Sequence, residues 1–155
     1  DMLLNEKHSI AYKIITHYWK DTGTPEDIIN ANKAILENLI PQFKGKKDST
    51  IIIEGNISVD DETCISNQVK INGPVIIGKK CKISGGAVIG PNASIGNECI
   101  ISGGIIRDSI IMNNCEIGKN VNVRNSIISS NSSIKENSIK NEQVFLLGEG
   151  TKVLL

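Results

Sequence analysis

Between residues 53 and 101 a β-branched aliphatic recurs at every sixth position: Ile53, Val59, Ile65, Ile71, Ile77, Ile83, Ile89, Ile95 and Ile101. An amphipathic helix repeats near 3.6 residues and a half-buried strand at 2, so neither yields this spacing. A period of six with turn residues between the aliphatics points to a coil of very short strands, and such a repeat decides the architecture before local propensities do. The intervening residues agree: Asp60-Asp61-Glu62, Ser66-Asn67-Gln68, Asn72-Gly73-Pro74, Gly78-Lys79-Lys80 and Ser84-Gly85-Gly86 are turn formers. Gly and Asn accept the left-handed backbone that a tight corner often needs. Residues two apart on a strand share a face, so Val75 with Ile77, Ala87 with Ile89 and Cys99 with Ile101 point inward together. Three sides close one turn after about eighteen residues, and the turns stack as parallel strands, with Val59, Ile77 and Ile95 in one column.

Beyond Ile101 the period slips without being lost: Ile106 and Ile111 follow at five, Ile117 and Val123 at six, Ile128 at five and Ile134 at six. These columns predict about five coils, a prism roughly 24 Å long at the parallel-strand spacing. The apolar tail Val144-Phe145-Leu146-Leu147 and Val153-Leu154-Leu155 departs from the hexads. It is expected to cap the open end or pack on a neighbour, since repeat arrays need their ends covered. The expected domain organisation is 1–40, a small α/β unit; 41–50, a linker; 51–140, the coil; and 141–155, the cap or tail.

Seventeen basic and seventeen acidic residues give a formal net charge of zero. With no long like-charged run, the chain makes no electrostatic case for nucleic acid or an anionic membrane. Lys44-Gly45-Lys46-Lys47 reads as a solvated linker. No apolar run is long enough to span a bilayer and no signal peptide opens the sequence, which sets a cytoplasmic expectation. Cys81 and Cys99 fall four residues after Ile77 and Ile95, where a small inward side chain belongs and where Thr63, Ala87 and Ala93 stand in other hexads. The four cysteines, Cys64 and Cys115 included, are therefore expected to be small buried hydrophobes rather than disulfide or zinc ligands. The sequons at Asn56, Asn92 and Asn131 follow from Asn- and Ser-rich turns.

Upstream the pattern is mixed. Residues 1–7 read as the last turns of a helix, and Ser9 to Tyr18, β-rich and roughly alternating, as a strand. Trp19-Lys20-Asp21-Thr22-Gly23 makes a polar turn. Thr24 before Pro25 is an N-cap with a first-turn proline, and Glu26 and Asp27 suit the helix dipole. A helix is expected from Pro25 to about Leu39, with Ile28, Ala31, Ile35 and Leu39 on its apolar face. About forty residues of this kind cannot bury their own apolar surface, so they must pack on the coil, on something else, or on both.

The hexads, from Ile51 to Ile139, resemble the hexapeptide-repeat, left-handed parallel β-helix family; the handedness comes from that resemblance. The stretch from Tyr18 through Asp27 to Lys33 resembles the end of the catalytic domain of sugar-phosphate nucleotidyltransferases. It is most similar to that of the long glucose-1-phosphate thymidylyltransferases, in which a tryptophan-x-aspartate-threonine-glycine segment precedes a helix rich in Ala and Asn and then a hexapeptide β-helix. The resemblance implies that Asp21 binds a magnesium ion bridging nucleotide and sugar phosphates, and that Trp19 lines the sugar side of the pocket. It implies nucleotidyl transfer from a nucleoside triphosphate, dTTP above all, to a sugar 1-phosphate with release of pyrophosphate. No segment matches the family's glycine-rich nucleotide loop, first metal-binding aspartate or phosphate-binding lysine. As it stands, the sequence reads as a carboxy-terminal portion, inactive alone, whose β-helix serves oligomerisation or regulation, with a trimer favoured.

Two other readings remain open at this level. A hexapeptide acyltransferase needs a histidine base at a coil edge and a γ-type carbonic anhydrase needs three for zinc, but the two histidines, His8 and His17, both precede the hexads. A non-enzymatic scaffold would oligomerise through a flat prism face, for which outward Ile76, Val88, Ile100 and Ile110 supply apolar strips. For Asp21 the plain alternative is a turn aspartate whose carboxylate accepts backbone N–H groups.

Overall fold

A computed structural model describes residues 11–16, 19–66, 68–135 and 142–155. The described residues fold as a parallel β-solenoid of about six turns, consistent with a left-handed β-helix, with a helix on its flank. Among the described residues the short strands fall into three sheets, two of seven strands and one of five. The first sheet runs from Gln42–Phe43 through Ile57–Val59, Val75–Ile77, Ala93–Ile95, Ile110–Ile111 and Ile127–Ile128 to Leu146–Leu147. The six-residue period is the physical cause of this stacking. Val59 lies in register with Ile77, Ile77 with Ile95 and Ile95 with Ile111, so one column continues through the five-residue steps as well. A second column joins Ile65, Ile83, Ile101, Ile117 and Ile134, and a third joins Ile53, Ile71, Ile89, Ile106 and Val123. These side chains are buried in a single core, with Ile53 partly exposed at its open end.

The corners fall at the expected positions, and Glu and Lys as well as Asn take the left-handed backbone there. Glu62, Lys80, Glu98, Asn114 and Asn131 recur once per turn with φ of 59°, 57°, 59°, 56° and 62°. Corner asparagines also brace adjacent turns: Asn97 Oδ1 accepts the Lys79 N–H at 2.8 Å, and Asn113 Oδ1 accepts the Asn97 N–H at 2.8 Å.

The solenoid is longer than the isoleucine columns suggest. The expected linker contributes strands Gln42–Phe43 and Lys46–Lys47, in parallel register with Ser58–Val59 and Cys64–Ile65. The expected cap adds Leu146–Leu147 and Lys152–Leu154, paired with Ile127–Ile128 and Ser133–Lys135. The period misses these end turns because an end turn is only half enclosed and can place other residues in the columns. Lys47 stands in register with Ile65, and its ammonium lies 5.2 Å from the centre of the Phe43 ring.

The N-terminal expectations fare unevenly. The helix end read at 1–7 lies outside the described residues, as do Ser9, Ile10, His17 and Tyr18. Residues 11–16 form no strand, and Tyr12, Ile14 and Ile15 are exposed. A strand without a neighbour leaves its backbone groups to water and is not stable alone. The expected helix is present as α1, Pro25–Glu37, and lies along the corner that leads from the five-stranded sheet into the first sheet, beside Gly55, Gly73 and Asp108, with Ser94 of the first sheet also reached. Its N-terminal end faces Asn125, Val144 and Leu146, whereas Leu36 and Glu37 lie beside Gly55, Asn56, Gly73 and Pro74. It therefore runs against the direction in which the turns stack. Thirteen residues span about 20 Å, close to four rungs of about 4.8 Å.

The buried face of α1 differs from the expected one. Ile29 and Leu36 are buried, at 6% and 0% exposure, while Ile28 and Ile35 are 38% and 67% exposed. The two stripes are one residue, about 100°, apart on the helix, and polar contacts choose between them. Ser94 Oγ donates to Asn32 Oδ1 at 2.6 Å, and the Lys33 ammonium meets the Asp108 carboxylate at 2.9 Å. These contacts turn the Ile29–Leu36 side toward the sheet.

Candidate functional site

The turn from Trp19 to Gly23 leads directly into α1, and the helix start fixes where the turn ends. Thr24, in extended backbone at φ −126°, accepts the Asp27 N–H on its hydroxyl at 3.2 Å, and its hydroxyl donates to the Asp27 carboxylate at 2.7 Å. Lys20 reaches forward to the same carboxylate at 2.9 Å. The Thr24 hydroxyl, followed by the Lys20 ammonium, holds the Asp27 carboxyl below its ordinary value. Sequence reading treated Asp27 as a complement to the helix dipole; the structure makes it the tie between turn and helix.

Trp19 is 69% exposed and Asp21 is exposed in the same irregular segment. Nothing in the solenoid covers them. Among the described residues no three His, Cys, Asp or Glu side chains come together to hold a metal ion. Asp21 thus offers one carboxylate. Magnesium commonly takes one or two protein carboxylates and fills its remaining positions with water and phosphate oxygens, so a single aspartate is compatible with that ion without making a site.

A groove of about 570 Å³ opens where the first turns of α1 meet the last turns of the solenoid, lined in part by Glu26, Ile29, Lys33, Asn125 and Leu146. Deeper along the same seam, Asp108 accepts from Asn92 Nδ2 at 2.9 Å as well as from Lys33. Burial works against ionisation of Asp108, but the Asn92 and Lys33 hydrogen bonds outweigh it and keep its carboxyl below the ordinary value. Asn32, Lys33, Ser94 and Asp108 escaped sequence reading. The only signal available was the run of polar residues on the helix between Ile29 and Leu36, which shows no partner until the turns are stacked.

Cys81, Cys99 and Cys115 occupy inward positions on successive turns, in the column that Thr63 begins and Ser132 continues. Each side chain in this column donates to a carbonyl of the following turn: Thr63 to Gly78 at 2.6 Å, Cys81 to Gly96 at 3.0 Å, Cys99 to Met112 at 3.0 Å, Cys115 to Ser129 at 3.2 Å and Ser132 to Gly148 at 3.1 Å. The neighbouring Cys115 and Cys81 thiols, together with burial, push the Cys99 thiol well up. The expectation of small buried side chains holds for these three. Cys64 is a correction: it is exposed, because Thr63 takes the inward place and the next residue on a strand must face out. All four are free thiols.

Stacked parallel strands on a six-residue period, with apolar columns inside, define a hexapeptide-repeat β-helix protein. The chain belongs to the family of GMPPB C-terminal domains, whose family model matches residues 71–154. It is 32% identical over 152 residues to a glucose-1-phosphate thymidylyltransferase of Streptomyces antibioticus, covering 97% of this chain and 42% of that protein. It is 37% identical over 158 aligned positions to the bifunctional protein GlmU of Methanococcus aeolicus, covering 87% of this chain and 38% of that protein. A low-salt glycan biosynthesis nucleotidyltransferase, Agl11 of Haloferax volcanii, is 30% identical over 155 residues, covering 99% of this chain and 43% of that protein. The chain therefore spans about two-fifths of the length of these relatives. The matches bear out the resemblance read from the sequence: this is a C-terminal β-helix region of the sugar-nucleotidyltransferase type. Among the described residues no helix is long and apolar enough to cross a membrane.

Proposed function

We propose that this chain is the C-terminal region of a cytoplasmic sugar-1-phosphate nucleotidyltransferase that joins a nucleoside triphosphate, dTTP first among them, to glucose 1-phosphate and releases pyrophosphate. The observation that carries this reading is the Trp19–Gly23 turn: it stands open to solvent immediately ahead of a helix anchored to the solenoid. In this reading Asp21 supplies one carboxylate to a magnesium ion and Trp19 flanks the sugar. Magnesium, when bound, would neutralise phosphate charge during in-line attack on the α-phosphorus. The Thr24–Asp27–Lys20 ties limit the motion of the turn that bears Asp21, and α1 fixes that turn relative to the solenoid. The solenoid itself acts in assembly, with three copies the favoured number. No histidine occurs between residues 18 and 155, so the solenoid has no imidazole base with which to run acyl transfer.

The test is pyrophosphate release by the full-length gene product with each of dTTP, UTP, GTP and CTP against a panel of sugar 1-phosphates, with and without magnesium. Release with dTTP and glucose 1-phosphate is expected. No release with any pair would overturn the reading, and release with another nucleotide alone would correct the substrate.

A further inference from the structure

The turn that bears Asp21 is closed at both ends by one side chain. Asp27 uses its two carboxylate oxygens separately: Oδ2 accepts from the Thr24 hydroxyl at 2.7 Å, and Oδ1 meets the Lys20 ammonium at 2.9 Å. Thr24 is itself fixed to α1, because its hydroxyl accepts the Asp27 N–H and its carbonyl accepts the Ile28 N–H at 3.1 Å. Residues 21–23 therefore form a short loop between two points held by the same carboxylate. A helix needs only negative charge in its first turn to complement its dipole, and Glu26 supplies that as well. The bonds that reach back across the turn are made by Asp27. Asp21 is the first residue of the loop, so its place relative to α1 depends on how tightly Lys20 is held.

We propose that Asp27 is a positioning residue for nucleotidyl transfer: by tying Lys20 and Thr24 together it holds the Asp21 carboxylate in the arrangement that meets the magnesium ion. The proposal rests on the reading given under Proposed function and adds a residue to it. A turn that occupies its binding-competent arrangement only part of the time weakens the apparent affinity by that fraction, and saturating ion draws it back. Loss of the tie should thus raise the magnesium requirement and spare the saturated rate. The opposite charges of the two partners separate positioning from a plain charge effect. If the pair acted only through its field, removing the Lys20 cation would favour a nearby magnesium ion and removing the Asp27 anion would disfavour it. Positioning predicts the same direction for both, with no further loss when both are removed, since one tie can be broken only once.

Lys20→Met, Asp27→Ala and the double variant are compared in the full-length gene product by pyrophosphate release against magnesium concentration. Each single variant should raise the magnesium concentration for half-maximal rate about three- to tenfold, the scale of a partly exposed ion pair with a helix cap, and keep the saturated rate within about twofold. The double variant should match the worse single one. Lys20→Met leaves the Thr24–Asp27 cap in place, so its effect is not fraying of the helix. Trp19, the only tryptophan of this 155-residue chain, gives a second readout that needs neither metal nor substrate. It adjoins Lys20 and is 69% exposed, so its ring follows the turn, and the nanosecond component of its anisotropy decay should grow about twofold in every variant. Opposite shifts in the two single variants, with a near-normal double variant, overturn the proposal in favour of a charge effect. Unchanged Trp19 anisotropy in Lys20→Met overturns it as well. If the unaltered full-length protein releases no pyrophosphate with any substrate pair, the proposed chemistry is refuted, and the Trp19 measurement alone decides whether Asp27 holds the turn.

Discussion

Leu36→Ala should release α1 from the solenoid while leaving the solenoid folded. Leu36 is fully buried and Ile29 nearly so. Burying two such side chains is worth about 3 to 6 kcal/mol together. The Ser94–Asn32 hydrogen bond adds about 1 kcal/mol, and the partly exposed Lys33–Asp108 pair adds about 0.5 to 1 kcal/mol. Against these stands the buried Asn32 Nδ2, which finds no partner and costs about 1 to 3 kcal/mol. Truncating Leu36 removes about 2 to 5 kcal/mol, most of what holds the helix in place. A 13-residue helix is marginal in water by itself, so an undocked α1 melts. At 1.4 kcal/mol per factor of ten, exchange of the α1 amides should accelerate by roughly 30-fold to 1,000-fold or more. Amides of the strands carrying Ile83 and Ile101 should keep their wild-type rates. Ile35→Ala, on the exposed stripe, should change α1 exchange in this chain less than threefold, about 0.5 kcal/mol. The reasoning is refuted if Leu36→Ala accelerates helix and solenoid amides by the same factor, which would make them one cooperative unit, or if α1 exchange does not change.

Four further outcomes are expected. In the full-length protein Asp21→Asn should lower magnesium-dependent turnover at least a hundredfold; undiminished turnover would dispose of the ligand assignment. Because the folded state holds Asp108 below its ordinary value of 3.8, its contribution to α1 docking is present above that pH and is lost as the pH falls through the folded-state value. Exchange of α1 should therefore rise below about pH 4 relative to the solenoid, and Asp108→Asn should be weaker throughout and show no such rise. A Cβ at Gly85 would run into the Ser102 carbonyl, whereas one at Gly86 meets nothing nearer than the Gln68 carbonyl at 3.8 Å; both have positive φ, +66° and +69°. Gly86→Ala should thus cost about 1 to 2 kcal/mol in a denaturant melt, and Gly85→Ala clearly more, with equal costs refuting the close-approach argument. Native protein should take one maleimide rapidly, at Cys64, and four after denaturation; rapid uptake at Cys99 would contradict the closed core.

The inward columns were legible because every turn repeats the same demand, an aliphatic at the same height on the same side. The failures cluster where that demand lapses. Phe43, Lys47 and Gln143 occupy column positions at the ends of the prism, where half a shell of neighbours imposes no β-branched rule, so the first and last turns looked like linker and tail. Cys64 misled by composition, since its place is settled only by which of Thr63 and Cys64 faces in. For α1, residue spacing marks Ile28 and Ile35 as readily as Ile29 and Leu36. The choice depends on Ser94 and Asp108, which lie 62 and 75 positions beyond their helix partners Asn32 and Lys33 and become neighbours only after the turns stack. Local periodicity contains no information about such a meeting. The Trp19–Gly23 turn was legible as a resemblance, but its exposure was not, because exposure depends on what stands opposite.

The buried polar groups divide the molecule into a closed part and an open one. Inside the prism, Thr63, Ser109, Ser126 and Ser132 are buried, and each donates its hydroxyl to a backbone carbonyl at 2.6, 2.7, 2.7 and 3.1 Å. The three buried thiols do the same, so the core keeps no polar atom in reserve for a substrate. Among the described residues the buried side-chain nitrogens without a partner are Asn32 Nδ2 and Arg107 Nε. Asn32 lies on α1, and Arg107 directly precedes the aspartate that anchors α1. One of these two, Asn32 Nδ2, lies at the seam between helix and solenoid, the same seam that sets the turn bearing Asp21, whereas Arg107 ion-pairs with Glu142. Substitutions in the columns should alter stability alone, whereas substitutions at Asn32, Lys33, Ser94 or Asp108 can alter how that turn is held. The division follows from chemistry that a satisfied core cannot perform and a partly satisfied seam can.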